Sequence, residues 1–128
     1  MRIKEAVKQT GKVDSDVIIV HAATNNVAST TPQELCKETM ETLGEIQKNN
    51  PKAKIAFSVV FRRKDSHELN SKVNQLNELL AEKLPLDGFD MIEIDNVLFS
   101  NLKSDGLHLN EGGVRKFAGN LNKFIKYC

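Results

Sequence analysis

Hydrophobic residues follow two different spacings along this chain, and segments of the two kinds alternate. Short, continuous apolar runs rich in β-branched residues occupy 17–20, 55–61 and 91–94, and such runs are typical of strands covered on both faces. Apolar residues elsewhere recur at helical spacing. The predicted helices cover 2–10, 32–49, 69–84 and 111–125. Because the connections between the strands are long, this alternation predicts an α/β domain with a parallel sheet.

Local signals mark where several of these elements begin and end. Thr31 before Pro32 is typical of a helix N-cap followed by proline at the first helical position. Asn49-Asn50-Pro51 predicts the end of that helix, and Asp87-Gly88 predicts a turn into the third strand. Only three strands are visible, whereas a parallel sheet covered on both faces is usually larger. We therefore expect part of the sheet to be missing at the N-terminus.

Composition places the chain among ordinary globular domains. It has 128 residues, 40% of them hydrophobic, with 18 Lys and Arg against 17 Asp and Glu. We expect a single domain over 1–128 whose core needs no disulfide or metal. The net charge of +1 argues against general nucleic-acid binding. Since no apolar run is long enough to span a membrane and no signal peptide is recognisable, we also expect a cytoplasmic protein without a membrane partner.

Spacings typical of metal and nucleotide sites are absent from the sequence. The two cysteines, Cys36 and Cys128, form neither a disulfide framework nor a metal-binding pattern. The three histidines, His21, His67 and His108, lie far apart, and no glycine-rich phosphate loop follows a strand. We therefore predict no metal and no cofactor.

Polar segments follow the first two strands, where an open parallel sheet binds its ligands. The first segment, 21–26, contains asparagines whose amides could donate hydrogen bonds to a developing oxyanion. The alternative is an asparagine-rich turn that satisfies its own backbone. The second segment contains Arg62 and Arg63, which could hold an anionic group but are more typical of a solvated rim.

The segment before the last helix carries the most informative pair of residues. Asp105 lies three positions before His108 in a non-helical turn. At this spacing the carboxylate can accept the imidazole N–H and leave the other ring nitrogen free as a general base. The alternative is an Asp-Gly turn that leads to a helix cap at Asn110, with a histidine that only packs. Spacing alone leaves both possibilities open.

Two motifs together resemble those of the SGNH/GDSL hydrolases, especially the short esterase-like domains of some transposon-encoded proteins. Residues 16–27 are similar to the family's strand and loop V-I-H-V-G-T-N-D, and 105–110 match its D-G-x-H-x-N motif. The resemblance covers nearly the whole chain and implies a three-layer α/β/α, flavodoxin-like fold with a parallel sheet. It implies His108 as general base, Asp105 as its orienting acid and Asn25 as the oxyanion asparagine, with Ala23 and Thr24 in the same substrate-binding loop.

The sequence departs from the family pattern at three places. Ala23 replaces a glycine, and Asn26 replaces an aspartate. The Gly-Asp-Ser block that supplies the family's nucleophile has no counterpart, which implies that this chain is the C-terminal portion of the family fold. The remaining serines that could be considered do not occupy a matching motif: Ser29, Ser58, Ser66, Ser71, Ser100 and Ser104.

These departures lead to two functional hypotheses and one structural hypothesis. The first is a hydrolase-like domain for carboxylic esters that is inactive or very weak as this chain. The alternative is a non-catalytic module that contacts protein or RNA, although the near-zero charge gives little support for RNA. The resemblance places the strand at 17–20 beside an absent strand. An open apolar edge of this kind pairs readily, so we predict a homodimer or a strand-swapped oligomer through it.

Overall fold

A three-stranded parallel sheet forms the middle layer of the protein. The computed structural model describes residues 16–21, 24–60, 65–93, 96–106 and 108–126. Within them the strands are β1 (Val17–Val20), β2 (Lys54–Ser58) and β3 (Asp90–Ile92), and their order in the sheet is β1-β2-β3. Val17 pairs with Lys54, and Ala56 pairs with Asp90, both in parallel register. The predicted parallel sheet is confirmed.

Three helices follow the predicted segments closely. They are α1 (Pro32–Asn49), α2 (His67–Lys83) and α3 (Glu111–Lys126). As expected, Thr31 caps α1, and its Oγ1 accepts the Glu34 N–H at 3.1 Å. Ser66 caps α2 in the same way. The helix predicted over 2–10 lies outside the described residues.

The helices cover both faces of the sheet, which gives the expected three layers. The main core lies between the sheet and the helices α1 and α2. Its fully buried members include Leu35, Leu43, Ile46, Ile55, Phe57, Val73, Leu76 and Leu80. On the other face, the Lys54 ammonium lies 5.8 Å from the ring centre of Phe124 in α3. A smaller cluster around Val59 and Val97 includes Phe117 of α3.

The second and third strands are shorter than predicted. The predicted strand 55–61 is observed over Lys54–Ser58. It ends early because the side chain of Asn77 accepts from the Val60 N–H at 3.1 Å and donates to the Val60 carbonyl at 2.9 Å, where a strand neighbour would otherwise pair. The predicted strand 91–94 is observed over Asp90–Ile92, and Ile94 lies outside the described residues.

Helix α2 also ends slightly before the predicted boundary. The α-helical part stops at Lys83, and a short 3-10 helix continues over Leu84–Asp87. The chain then turns at Gly88, whose φ of 78° lies in the left-handed region that favours glycine. The Asp87-Gly88 turn into the third strand is therefore confirmed.

The outer parts of the fold are less covered than the apolar patterns predict. In β1 the exposure alternates, so that Ile18 and Val20 are buried while Val17 and Ile19 are half-buried. The prediction that this strand is covered on both faces is therefore only partly correct. In α3, Val114 and Ile125 of the apolar stripe are each 52% exposed. No helix in the described part of the chain is long and apolar enough to cross a membrane.

Candidate functional site

A short loop between β3 and α3 carries Asp105 and His108. The loop is closed at its base by an antiparallel bridge between Leu102 and Leu109 and by the Lys103 N–H, which donates to the His108 carbonyl at 2.7 Å. Its turn is possible because Gly106 adopts a φ of 71°. The Asp-Gly sequence thus forms the tight turn that its composition predicts.

Within this loop, the Asp105 carboxylate contacts His108 twice. One oxygen accepts the His108 backbone N–H at 3.0 Å, and the other lies 2.6 Å from the imidazole Nδ1. Because an ionised carboxylate can only accept, this contact places a proton on Nδ1, and in the uncharged form of the ring the lone pair is then at Nε2. The His108 side chain is 70% exposed, so it is accessible and does not merely pack. The arrangement can hold an imidazole as a general base.

Asn110 joins this loop to the start of α3. Its Oδ1 accepts the Gly113 N–H at 2.9 Å, which makes it the N-cap of the helix. Its Nδ2 donates to the Ser100 carbonyl at 2.9 Å and lies 3.4 Å from the Leu102 carbonyl. The helix cap and the Asp105–His108 contact, which the sequence left as alternatives, therefore exist together.

Segments that follow all three strands contribute to this end of the sheet. The Asp65 N–H, beyond β2, donates to the Gly106 carbonyl at 3.2 Å. The ring of His21, directly after β1, lies 4.8 Å from the Phe117 ring of α3. Burial lowers the pKa of His21 to about 4, which keeps its imidazole neutral near pH 7. The carboxyl ends of the strands thus meet where parallel topology predicts.

The described residues include only part of the predicted oxyanion loop and rim. Thr24 and Asn25 belong to a 3-10 helix over Thr24–Ser29, and at these two positions the structure describes the backbone alone. Ala23, Arg62 and Arg63 lie outside the described residues. The roles predicted for these five residues therefore stay predictions.

The described serines differ in their accessibility. The hydroxyl of Ser58 is fully buried at the end of β2 and has no hydrogen-bond partner among the described residues. The hydroxyl of Ser66 is used to cap α2. The others are exposed at the surface: Ser29, Ser71, Ser100 and Ser104. The His108 ring contacts the Asp105 carboxylate.

Sequence reasoning missed a group of polar residues that support the site from α2 and α3. Asn77 fixes the chain after β2 through both polar groups of Val60. The ammonium of Lys116 donates to the Asn101 side-chain oxygen at 3.0 Å and to the Asn96 carbonyl at 2.9 Å. Asn77 could have been found as an amide on an otherwise apolar helix face, whereas no local signal marks Lys116.

A cavity of about 430 Å³ lies elsewhere, between α1, α2 and the turn after α2. Its apolar lining includes Cys36, Met40, Leu79 and Leu86. Burial raises the pKa of the Cys36 thiol, which disfavours the reactive thiolate. Among the residues that the structure describes, no cluster of three or more His, Cys, Asp or Glu could hold a metal ion.

Comparison with solved structures shows which fold this is. The chain is similar to a carbohydrate esterase family 3 protein from Talaromyces cellulolyticus, with a TM-score of 0.81 and 14% identity over 99% of this chain and 68% of the other. It is also similar to a lipolytic G-D-S-L family protein from Veillonella parvula, with a TM-score of 0.80 and 15% identity over 96% and 74% of the two chains.

The native M. smegmatis aryl esterase is a third similar structure, with a TM-score of 0.82 and 12% identity over 98% of this chain and 67% of that one. No protein-family model and no curated protein sequence matches the chain. The structural likeness shows an SGNH/GDSL hydrolase-like fold, as the motifs predicted.

Proposed function

We propose that this SGNH/GDSL-like domain, spanning residues 1–128, has an incomplete carboxylic ester hydrolase site, in which His108 has the position of the general base and Asp105 orients it. The observation that carries the proposal is the 2.6 Å contact between His108 Nδ1 and the Asp105 carboxylate. This contact holds the proton on Nδ1 and leaves Nε2 able to take a proton from an attacking hydroxyl. The same nitrogen then returns that proton to the leaving alcohol.

The second element of the proposed site is the loop after β1. Asn25 would donate its amide N–H to the oxyanion that forms when an ester carbonyl is attacked, with Ala23 and Thr24 beside it. Arg62 and Arg63 would form the rim. The support for these roles is the sequence motif together with the fold, since β1 and β3 run parallel in one sheet and the two loops follow their carboxyl ends.

The nucleophile is the element for which this chain offers no matching residue. The sequence contains no Gly-Asp-Ser block. The Ser58 hydroxyl is buried, and the Ser66 hydroxyl already accepts the Leu69 N–H. We therefore propose that the chain by itself has little or no ester turnover, while it retains the acid–base pair.

A p-nitrophenyl acetate assay on the wild type and on His108→Ala tests the proposal. The expected result is no difference between the two, at a rate close to that of the buffer. Turnover that His108→Ala abolishes would overturn the proposed inactivity, and the nucleophile would then be either a hydroxyl activated by His108 or the His108 ring itself. A fluorophosphonate probe in the same samples labels an activated serine, so it shows whether a serine is the nucleophile.

A non-catalytic interaction module is the second candidate function. The exposure of His108, at 70% of its side chain, favours it, because catalytic groups usually lie in enclosed pockets. If the module binds RNA, its binding should weaken steeply with salt. Salt-independent binding of a protein partner would support an interaction module that contacts protein and not RNA.

We also propose that the chain forms a homodimer or a strand-swapped oligomer through β1. In the described sheet β1 is a terminal strand, and Ile18, Ile19 and Val20 are apolar. Terminal strands of this kind favour pairing with another chain. Light scattering at increasing concentration should show a dimer, and a strictly monomeric species at high concentration would overturn the proposal.

A further inference from the structure

We propose that Asn110 is a positioning residue whose side-chain amide clamps the base of the Asp105–His108 loop and thereby keeps the carboxylate on the imidazole. The inference rests on the proposed function for its catalytic meaning, but the clamp itself is a property of the loop. It differs from helix capping, which uses only the side-chain oxygen of Asn110. Both roles are visible in the contacts of this one side chain.

The contacts of Asn110 divide between the two halves of its amide. The oxygen accepts the Gly113 N–H at 2.9 Å, and the nitrogen donates to the Ser100 carbonyl at 2.9 Å. The same nitrogen lies 3.4 Å from the Leu102 carbonyl. Only one orientation of the amide pairs each donor with an acceptor, so the side chain has a single satisfied position. It joins the segment before the loop to the helix after it.

Burial gives the side chains of Asp105 and His108 only limited support. Their side chains are 46% and 70% exposed, respectively. An exposed side chain loses rotamer entropy when it is held in one contact, and solvent competes for its hydrogen bonds. The contact therefore depends on the backbone bringing the two residues together, and that backbone spans only the few residues between Leu102 and Leu109.

Asn110 acts at the point where this short loop closes. Its backbone N–H donates to the Asn101 carbonyl at 2.8 Å, next to the bridge between Leu102 and Leu109. Without the Nδ2 bonds, the segments 100–102 and 108–110 would be joined by backbone bonds alone. The loop would then open more readily, and Asp105 would spend less time on Nδ1.

Two substitutions separate the clamp from the cap. Asn110→Ser keeps an oxygen that can cap α3, but its side chain is too short to reach the carbonyls of Ser100 and Leu102. Asn110→Asp also keeps a cap and removes the donor, so it serves if the serine variant fails to fold. Asn120→Ala is the matched control, because Asn120 lies in α3 and its amide also bonds an earlier segment, at Asn96.

The experiment records long-range ¹H–¹⁵N correlations of the His108 ring at a pH where the ring is neutral. The wild type and Asn120→Ala should show the Nδ1–H tautomer. Asn110→Ser and Asp105→Ala should both lose it in favour of Nε2–H, while Asn110→Ser still unfolds cooperatively. A tautomer unchanged in folded Asn110→Ser, or in Asn110→Asp if needed, would overturn the proposal, as would one unchanged in Asp105→Ala.

The readout also separates this inference from the proposed function. If the tautomer depends on Asp105 and Asn110, the clamp holds whatever the ester assays give. If the domain then proves to bind a partner instead of hydrolysing esters, only the catalytic meaning of the clamp would be lost. Should the wild type turn over an ester after all, a rate that Asn110→Ser leaves unchanged despite a lost Nδ1–H tautomer would refute that meaning alone.

Discussion

The two faces of the sheet are closed by different kinds of contact. On the side of α1 and α2, side chains such as Leu43, Ile46 and Leu80 have no exposed surface. On the side of α3, only Gly113 of the helix is buried, and Val114 and Ile125 are half-exposed. The first face is closed by apolar packing, and the second depends to a greater extent on hydrogen bonds.

Polar side chains attach α3 to the segment at Asn96 through hydrogen bonds. Asn96 and Asn120 exchange two amide hydrogen bonds, of 3.2 and 2.8 Å, and Lys116 donates to the Asn96 carbonyl. Such hydrogen bonds contribute less net stability than apolar burial, but they fix the orientation of α3 on the sheet. Because apolar burial is concentrated on the side of α1 and α2, we expect the layer of α3, which holds the candidate site, to open locally at the lower free energy.

Truncating one apolar side chain on each face should show the largest contrast. Leu43→Ala should lower the free energy of unfolding by about 2–5 kcal/mol, because it leaves a cavity in a fully buried core. Val114→Ala should change it by less than about 0.5 kcal/mol, because the side chain is already half in water. Urea denaturation of both variants measures the difference. Equal losses would contradict the contrast between the faces.

A pH change should weaken the α3 face through His21. Its pKa is about 4 in the folded protein against 6.5 in the unfolded chain, so the unfolded state binds the proton first. The stabilisation is complete above pH 6.5 and is lost as the pH falls towards 4. The full loss is about 3 kcal/mol, since one pKa unit corresponds to about 1.4 kcal/mol.

Urea denaturation at pH 7.5 and pH 5 measures this loss, about 2 kcal/mol over that interval by the same conversion. His21→Phe keeps an aromatic ring beside Phe117 and should remove most of the pH dependence. His67→Gln changes an exposed histidine and is the matched control, which should behave like the wild type. A wild-type stability that stays flat over the interval would be evidence against a buried, neutral His21.

Adding one methyl group at each of two glycines of α3 should change the stability of the protein in opposite directions. A Cβ at Gly113 would overlap the Asn101 backbone oxygen and lie 3.1 Å from the Asn101 Cβ, whereas a Cβ at Gly119 meets nothing within 4 Å in the described structure. Gly113→Ala should therefore destabilise the protein by about 2 kcal/mol. Gly119→Ala should stabilise it by up to about 1 kcal/mol, through helix propensity. Thermal unfolding distinguishes the two signs, and stabilisation by both would mean that Asn101 and α3 are not in close contact.

A small effect is also expected at the ion pair between β2 and β3. The Lys54 ammonium lies 3.3 Å from the Asp90 carboxylate, and both side chains are more than a third exposed. Lys54→Met should cost less than about 1 kcal/mol, because water screens the pair. The loss should shrink further at high salt. A loss comparable to that of Leu43→Ala would show that the α3 face depends on this ion pair.

The positions of most elements could be predicted because the signals that decide them are local. The β-branched run at 17–20 forms β1, Thr31 and Pro32 begin α1, and Gly88 forms the turn before β3. Strand ends were less predictable. The apolar run after Ser58 continues in the sequence, yet the strand stops because Asn77, from a helix further along the chain, takes up the polar groups of Val60.

The candidate site could be predicted for the same reason only where its members are close in sequence. Asp105 and His108 are three residues apart, and the motif that joins them is readable without a fold. The contacts that support them join distant parts of the chain, such as Asp65 with Gly106 and Lys116 with Asn96. No pattern of single residues marks those pairs.

Local sequence patterns were therefore enough to predict the order of the described helices and strands and the parallel α/β architecture, and they named Asp105 and His108 as one of two possibilities for their loop. The ends of the strands, the tightly packed face of the sheet and the closure of the Asp105–His108 loop could be seen only in the folded protein. Propensities, caps and apolar periodicity act over one or two turns of chain, so they do not specify these features. Burial and the hydrogen bonds of Asn77, Asn110 and Lys116 depend on which segments meet in space.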